Sequence, residues 1–398
     1  MIKIKEKWNR LSNNTKWLLI TEPGWSLPMP WVFYYQPLYM KVLGVSEIGL
    51  GLLTSFGMGM SIILPFVGDY FGEKIGKKWA FIILDLICNI GYLLSLFFAR
   101  DIIAFLLTYL FSALYSAIGP LWETLLVEEI DDESRTITYS TISLINLFGS
   151  LSTPIAGIII QFYGILKGFR YVILIALILF IIKTLVLVFK IKERPVHQYK
   201  KDIFRRRLSD VTKIIVSNYS VLLLFTITIV MNITMYSIPT YLALYLKDDK
   251  GAGLSVEEIS LVPMFSSITS ILVLSLIIFR TFTRYRRYLL ISFLLSVIAY
   301  TLYYFSFMYS MFAYFASIIS GIKTIEFIVS RTMLNNYIDR INPEYRSKIL
   351  SVLYSIVQIV TIPAPTLLGL AYTYDPKNIW VVGIILSIIE LFALIKIE

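Results

Sequence analysis

The sequence predicts an all-α integral membrane protein with twelve transmembrane helices in two similar six-helix halves. Three observations carry that expectation. Hydrophobic residues make up 57% of the 398-residue chain and charged residues 16%, with a mean hydropathy of +0.75; one or two soluble cores could not hide that much apolar surface. Apolar runs of about 20 residues, each able to cross a hydrocarbon layer about 30 Å thick, recur along nearly the whole chain. The second half also repeats the residue pattern of the first.

The runs lie at 16–40, 46–67, 78–99, 102–127, 137–162, 169–190, 217–246, 256–279, 287–307, 309–334, 347–371 and 378–396. The first carries Glu22, Pro23, Pro28 and Pro30 and lacks a small-residue cleavage site, so it reads as a retained helix. With the N-terminus in the cytoplasm, the inner segments hold 26 of the 36 Lys and Arg, the outer loops seven and the spans three, Lys183, Lys323 and Arg331. That asymmetry obeys the positive-inside rule and places both termini in the cytoplasm. The net charge of +10 is then explained by topology, and no nucleic-acid partner is invoked. The division expected is a bundle over 1–190, a basic cytoplasmic linker over 191–216 and a second bundle over 217–398. The linker reads as solvated, with binding to anionic lipid headgroups as the alternative.

A shift of 211 residues aligns the halves with almost no gap. Leu43, Val45, Glu47, Ile48 and Leu50 fall on Leu254, Val256, Glu258, Ile259 and Leu261; Pro28 falls on Pro239, Tyr34 on Tyr245, Arg135 on Arg346, Ser140 on Ser351 and Pro154 on Pro365. Even-numbered halves give parallel repeats related by an axis along the membrane normal. Repeated prolines suggest bent helices. Ser255 and Glu258 form an S-x-x-E capping box, and Glu47 and Glu258 read as helix caps.

Several chemistries find no residues. Cys88 is the single cysteine and His197 the single histidine, so a disulfide framework and a histidine or thiolate metal centre are not expected. No cofactor is expected, and the G-x-x-x-x-G-K-[ST] phosphate loop is absent. Asp131-Asp132-Glu133 is the only acidic run and reads as a solvated loop, although a polytopic enzyme acting on a lipid-linked substrate would use such a run for metal. A non-transporting membrane receptor is the third reading.

Between the second and third runs the loop reads Asp69-Tyr70-Phe71-Gly72-Glu73-Lys74-Ile75-Gly76-Lys77-Lys78. It resembles the G-x-x-x-D-[RK]-x-G-[RK]-[RK] loop of the major facilitator superfamily, matching at Glu73, Lys74, Gly76, Lys77 and Lys78. Asp69 stands in place of the leading glycine, which is displaced to Gly68. With the twelve runs, the repeat and the basic central loop, the chain resembles that superfamily over essentially its full length. The resemblance implies a transporter, not an enzyme, working by alternating access. In the family this loop helps latch the cytoplasmic side, with Asp69 and Glu73 as the acidic candidates here and Arg135 as their partner; a tight basic turn is the plainer reading.

Charges inside a bilayer are costly and face the interior or a wet cavity. Those absent from the matching position of the other half are Glu22, Asp85, Glu123, Lys183, Lys323, Glu326 and Arg331. Lys323 lies near the middle of the tenth run with Glu326 one turn away on the same face. That pair would bind an ionisable substrate or exchange a proton, unless it is a neutralised structural pair. Glu22, Asp85 and Glu123 lie nearer the cytoplasmic face, as proton-coupling groups or an inner gate. Lys183 is expected to snorkel to the surface. Asn232, Tyr236 and Thr240 form an i, i+4, i+8 stripe, and Tyr34, Tyr35 and Gln36 sit on the first run. Such groups suit a sugar or an amphipathic drug-like molecule. The expected protein is thus a monomeric, proton-coupled symporter or antiporter of a small organic solute in the plasma membrane.

Overall fold

A computed structural model describes Trp8 and residues 11–127, 132–193, 218–278, 285–341 and 346–397. Most of the expected linker, His197 and Asp131 lie outside these residues, and so does the side chain of Arg346. Among the described residues the regular structure is helix alone.

The chain divides into two compact units, Met1–Ser46 with Phe56–Gln198 and Glu47–Ser55 with Tyr199–Glu398. The helices up to the first unit's end are α1 (Asn13–Thr21), α2 (Pro23–Ser26), α3 (Pro28–Val42), α4 (Glu47–Ile63), α5 (Pro65–Ile75), α6 (Lys77–Phe98), α7 (Ile102–Ala113), α8 (Tyr115–Val127), α9 (Asp132–Leu151) and α10 (Thr153–Lys190). Thereafter come α11 (Tyr219–Asn232), a π turn (Ile233–Ser237), α12 (Pro239–Lys247), α13 (Val256–Ile259), α14 (Leu261–Ile278), α15 (Tyr285–Phe305), α16 (Met311–Ser320), α17 (Lys323–Ile341), α18 (Arg346–Thr361), α19 (Ala364–Tyr374) and α20 (Asn378–Lys396).

The local sequence explains where these helices begin. Ser12 accepts from the Thr15 amide at 3.2 Å, Asp101 from Ala104 at 2.8 Å and Asn218 from Val221 at 3.2 Å, the work of N-caps. The Ser255–Glu258 capping box forms in both directions. Proline lacks an N–H and is tolerated in a helix's first turn, so helices restart at Pro23, Pro28, Pro65, Pro154, Pro239 and Pro365.

Those breaks lower the number of long helices. Eight described stretches are long and apolar enough to cross a membrane, or nine if α4 and α5, bent by 42°, form one. The first run is cut at Pro23 and Pro28, and the tenth between Ser320 and Lys323. Thr138–Lys190 counts once at 53 residues, yet Gly164 is non-helical (φ 75°, ψ 161°). A Cβ on Gly168 would lie 2.6 Å from Ile160 Cα; eight helical residues span about 12 Å, so the chain folds back at Gly164.

Each unit has its own apolar core. Leu18, Phe81, Cys88, Leu125 and Leu187 are buried together in the first; Leu224, Phe293, Leu353 and Leu394 are buried in the second. The outside is apolar too: Phe162, Phe189 and Leu272 are among many large exposed hydrophobic side chains, as a lipid-facing surface requires. Small residues bring backbones together. A Cβ on Gly149 (α9) would sit 1.8 Å from the Ser26 carbonyl (α2), and one on Gly68 (α5) 2.2 Å from that of Ala117 (α8).

These contacts predict opposite outcomes for two glycine substitutions. Gly149→Ala should lower the thermal unfolding midpoint in detergent, an overpacking cost of about 1–3 kcal/mol. Gly59→Ala, where nothing lies within 4 Å of the added carbon, should leave it unchanged or raise it, by up to about 1 kcal/mol. Thermal scans followed by tryptophan fluorescence compare the two.

Candidate functional site

In the first unit the break at Pro23 sets Glu22, Gly24 and Ser26 against α10. Gly24 has no side chain because a Cβ there would meet Lys183 Cβ at 2.9 Å. The Lys183 ammonium is thereby held inside and lies 3.4 Å from Asp85 Oδ2 on α6, each side chain 5% exposed. This corrects the expectation that Lys183 snorkels to the surface: an ion pair buried among α2, α6 and α10 retains it. Glu22, itself buried, is within electrostatic range of Lys183 and Asp85. Donors complete the network. Ser26 donates to Glu22 Oε1 at 2.9 Å, and its Oγ lies 2.6 Å from Asn146 Oδ1. Asn89 donates to Asp85 Oδ1 at 2.9 Å, and Tyr115 donates to Asn89 Oδ1 at 2.5 Å. Trp25 donates to Tyr115.

The second unit holds a matching cluster. Lys323, at the start of α17, donates to the Tyr300 hydroxyl and lies 4.0 Å above that ring's centroid, a cation–π contact. Glu326 Oε2 accepts from Ser292 and Ser296 of α15, both at 3.2 Å. Lys323 and Glu326 interact electrostatically, but the direct pair expected from their spacing is not formed, because α15 supplies nearer partners to each. Glu390 on α20 joins them, fully buried and within electrostatic range of Glu326 and Lys323. Glu390 was not foreseen among the sequence candidates, although it is a carboxylate in an apolar run and that signal was available.

The 211-residue shift relates the two clusters in part, since Glu22 falls on Ile233 and Lys323 on Ser112, outside them. Asp85 matches Ser296, Asn89 matches Tyr300, Tyr115 matches Glu326, Leu179 matches Glu390 and Lys183 matches Leu394. Three places are polar in both halves, Asp85/Ser296, Asn89/Tyr300 and Tyr115/Glu326, while Leu394 and Leu179 stand opposite Lys183 and Glu390. Each cluster contains two carboxyl groups and one lysine.

The remaining candidates separate. Asn232 and Tyr236 line a cavity of about 200 Å³ in the second unit with Thr228, Ser330, Arg331 and Tyr354. Between them the chain is a π turn, so their four-residue spacing is not the α-helical stripe expected; π turns recur at functional sites. Asn232 Nδ2 donates to the Thr228 carbonyl at 2.9 Å. Gln36 is buried and accepts from the Tyr92 hydroxyl at 2.5 Å, inside the first unit's packing. Tyr34 is half-buried, edge-on to Tyr35. Glu123 is exposed and accepts from Tyr139 at 2.7 Å, apart from Glu22 and Asp85.

The family model for the Major Facilitator Superfamily matches residues 24–395. The chain belongs to that superfamily. Solved structures agree in fold. A variant of the nucleoside transporter NupG superposes with a TM-score of 0.71 at 14% identity, over 97% of this chain and 100% of that one. A bacterial metal transporter gives 0.68 at 16%, over 97% and 98%, and the peptide-family transporter PepTSo 0.66 at 9%, over 96% of each. No curated protein matches the chain by sequence. This superfamily member is a multi-pass membrane transporter, not an enzyme.

The superfamily's loop motif falls at the end of α5 and the start of α6. Gly76 has φ 86°, and a Cβ there would meet the Glu193 carboxyl carbon at 2.8 Å. Glu193, just beyond α10, accepts from the Lys78 amide at 3.3 Å, a carboxylate at the positive end of α6. Lys74 donates to the Tyr70 hydroxyl at 2.6 Å, and Lys77 is half-buried. Asp69, Glu73 and Arg135 are exposed. Neither Asp69 nor Glu73 makes an ion pair among the described residues; the carboxylate that meets this loop is Glu193.

The Asp85–Lys183 geometry makes a double-substitution prediction. Lys183→Met alone should destabilise the first unit by about 3–5 kcal/mol, leaving two carboxyl groups without their cation. Adding Asp85→Asn should recover much of that loss. Thermal midpoints of the two single variants and the double variant in detergent measure it.

Proposed function

We propose that this transporter is a secondary active carrier of a small organic solute, coupled to protons. The observation that carries the coupling is the presence, in each unit, of two buried carboxyl groups beside a lysine, Lys183 buried and Lys323 half-buried. Ionisable groups at such places in membrane proteins serve substrate or proton pathways. Lys323 and Glu326 remain the leading coupling residues, with Glu22 and Asp85 as their counterparts in the first half.

The solute reading is supported by the cavity beside the π turn. Its amide, hydroxyl, phenol, guanidinium and methionine groups suit an organic molecule with both polar and apolar parts. In this reading α1–α3, α4–α5, α7–α8, α11–α12, α13–α14, α16–α17 and α18–α19 are each one broken span. With α6, α15, α20 and the two spans separated near Gly164, that makes twelve in a 6+6 arrangement. Two rocking halves, joined by the basic linker, would give alternating access. The basic-residue asymmetry supports cytoplasmic termini in the plasma membrane, with anionic lipid beside the linker and a monomer as the working unit. Asp69, Glu73, Lys74, Gly76, Lys77, Lys78 and Arg135 would belong to the cytoplasmic gate.

Purified protein in liposomes tests this with a panel of sugars, nucleosides, short peptides and cationic dyes, each with and without an inward proton gradient. One class should accumulate only with the gradient; accumulation that ignores the gradient for every solute would remove the coupling. Lys323→Ala and Glu326→Gln should lower gradient-driven uptake at least tenfold, a loss of about 1.4 kcal/mol or more, at unchanged expression. Wild-type uptake by both would remove the pair from the mechanism.

A further inference from the structure

Glu390 stands apart from the other buried acids. Glu22 accepts from Ser26, Asp85 from Asn89 and Lys183, and Glu326 from Ser292 and Ser296. Both Glu390 carboxyl oxygens are buried without a hydrogen-bond partner among the described residues, and so is the Ser387 hydroxyl one turn earlier on α20. Both residues are 0% exposed. A buried acid with no donor lacks what normally holds a carboxylate in an apolar interior.

The charged surroundings are few. α17 provides Lys323 and Glu326, and α15 provides the Tyr300 phenol; the arginines of α15 lie at its start, where Arg286 donates to the Ile395 carbonyl of α20 at 2.6 Å, five residues beyond Glu390. α11 and α19, which also pack on α20, contain no Asp, Glu, Lys or Arg. Two carboxylates within electrostatic range of one ammonium leave one negative charge in excess, and the fully buried Glu390 has no donor to offset it.

We propose that Glu390 binds one exchangeable proton, within electrostatic range of Glu326 and the Lys323 ammonium, in a site enclosed by helices of the second unit. The step is protonation alone: a proton from water adds to a Glu390 carboxylate oxygen and leaves by the same route. Its use in transport rests on the proton-coupled reading, but its existence does not.

Infrared difference spectra of the protein in liposomes, between acid and alkaline buffer without solute or gradient, read the carbonyl stretch of protonated carboxyl groups. Wild-type protein should show a band that Glu390→Gln removes and Glu390→Asp retains at a shifted position, in choline chloride and in sodium chloride alike. If Glu390→Gln does not fold, the shift in Glu390→Asp is the readout. A band unchanged in a folded Glu390→Gln or in Glu390→Asp overturns the proposal. So does a band lost only in Glu326→Gln, or one that sodium erases, which would make the site a metal-cation site. Proton-driven uptake without the band would remove this site and leave the carrier reading standing. The band without proton-driven uptake would keep the site and remove the coupling.

Discussion

The constraint on which the rest depends is that a charge inside a helical bundle must be answered within that bundle. The Asp85–Lys183 contact at 3.4 Å states it most simply. Neither group can be solvated where it sits, so each holds the other in place, and α6 is tied to α10 through them. The packing around the pair follows. Gly24 lets α2 approach Lys183, and Gly149 lets α9 approach α2; the proline restarts at Pro23 and Pro28 turn Glu22 and Ser26 into the same place. A side chain at either glycine would open the seam that keeps water from the pair.

The two units answer this constraint with different residues. Where the first half has Asp85 and Asn89 the second has Ser296 and Tyr300, and where the first has Tyr115 the second has Glu326. In the first unit acid and base meet across helices. In the second, hydroxyl groups of α15 serve both Lys323 and Glu326, so the lysine is cradled by a phenol rather than a carboxylate.

This explains what the sequence made legible and what it concealed. The 211-residue offset, the capping box at Ser255–Glu258 and the loop glycine at Gly76 were readable because each is a local or periodic pattern with a backbone cause. The buried charges were readable as positions, which is why Lys323, Glu326, Glu22 and Asp85 stand among the candidates. Their partners were not. The fate of Lys183 depends on Asp85, 98 residues away, and on a glycine in another helix; nothing in its own span distinguishes a snorkelling lysine from a paired one. Glu390, whose matching position holds Leu179, carries the same mark as the other unmatched charges, a carboxylate that the first half lacks. Helix breaks were visible as prolines, but not the π turn between Asn232 and Tyr236, which follows from how α11 and α12 are joined.

α17 connects the two features of the second unit that bear on transport. Glu326 and Ser330 are one helical turn apart, about 6 Å along the axis, and both are buried. Residues four apart share a helix face, so the serine that lines the cavity sits directly beyond the carboxyl that belongs to the polar cluster. Arg331 adjoins it at the cavity wall. At its other end α17 begins just after Gly321, where a Cβ would meet the Ser266 carbonyl at 2.4 Å and Ser270 donates to the Gly321 carbonyl at 3.0 Å. The helix is therefore pinned to α14 immediately before Lys323 and Glu326, while its next turn borders the cavity. An occupant that shifted Ser330 or Arg331 would act on the Glu326 carboxyl through one turn of stiff helix, with its hydroxyl partners fixed on α15.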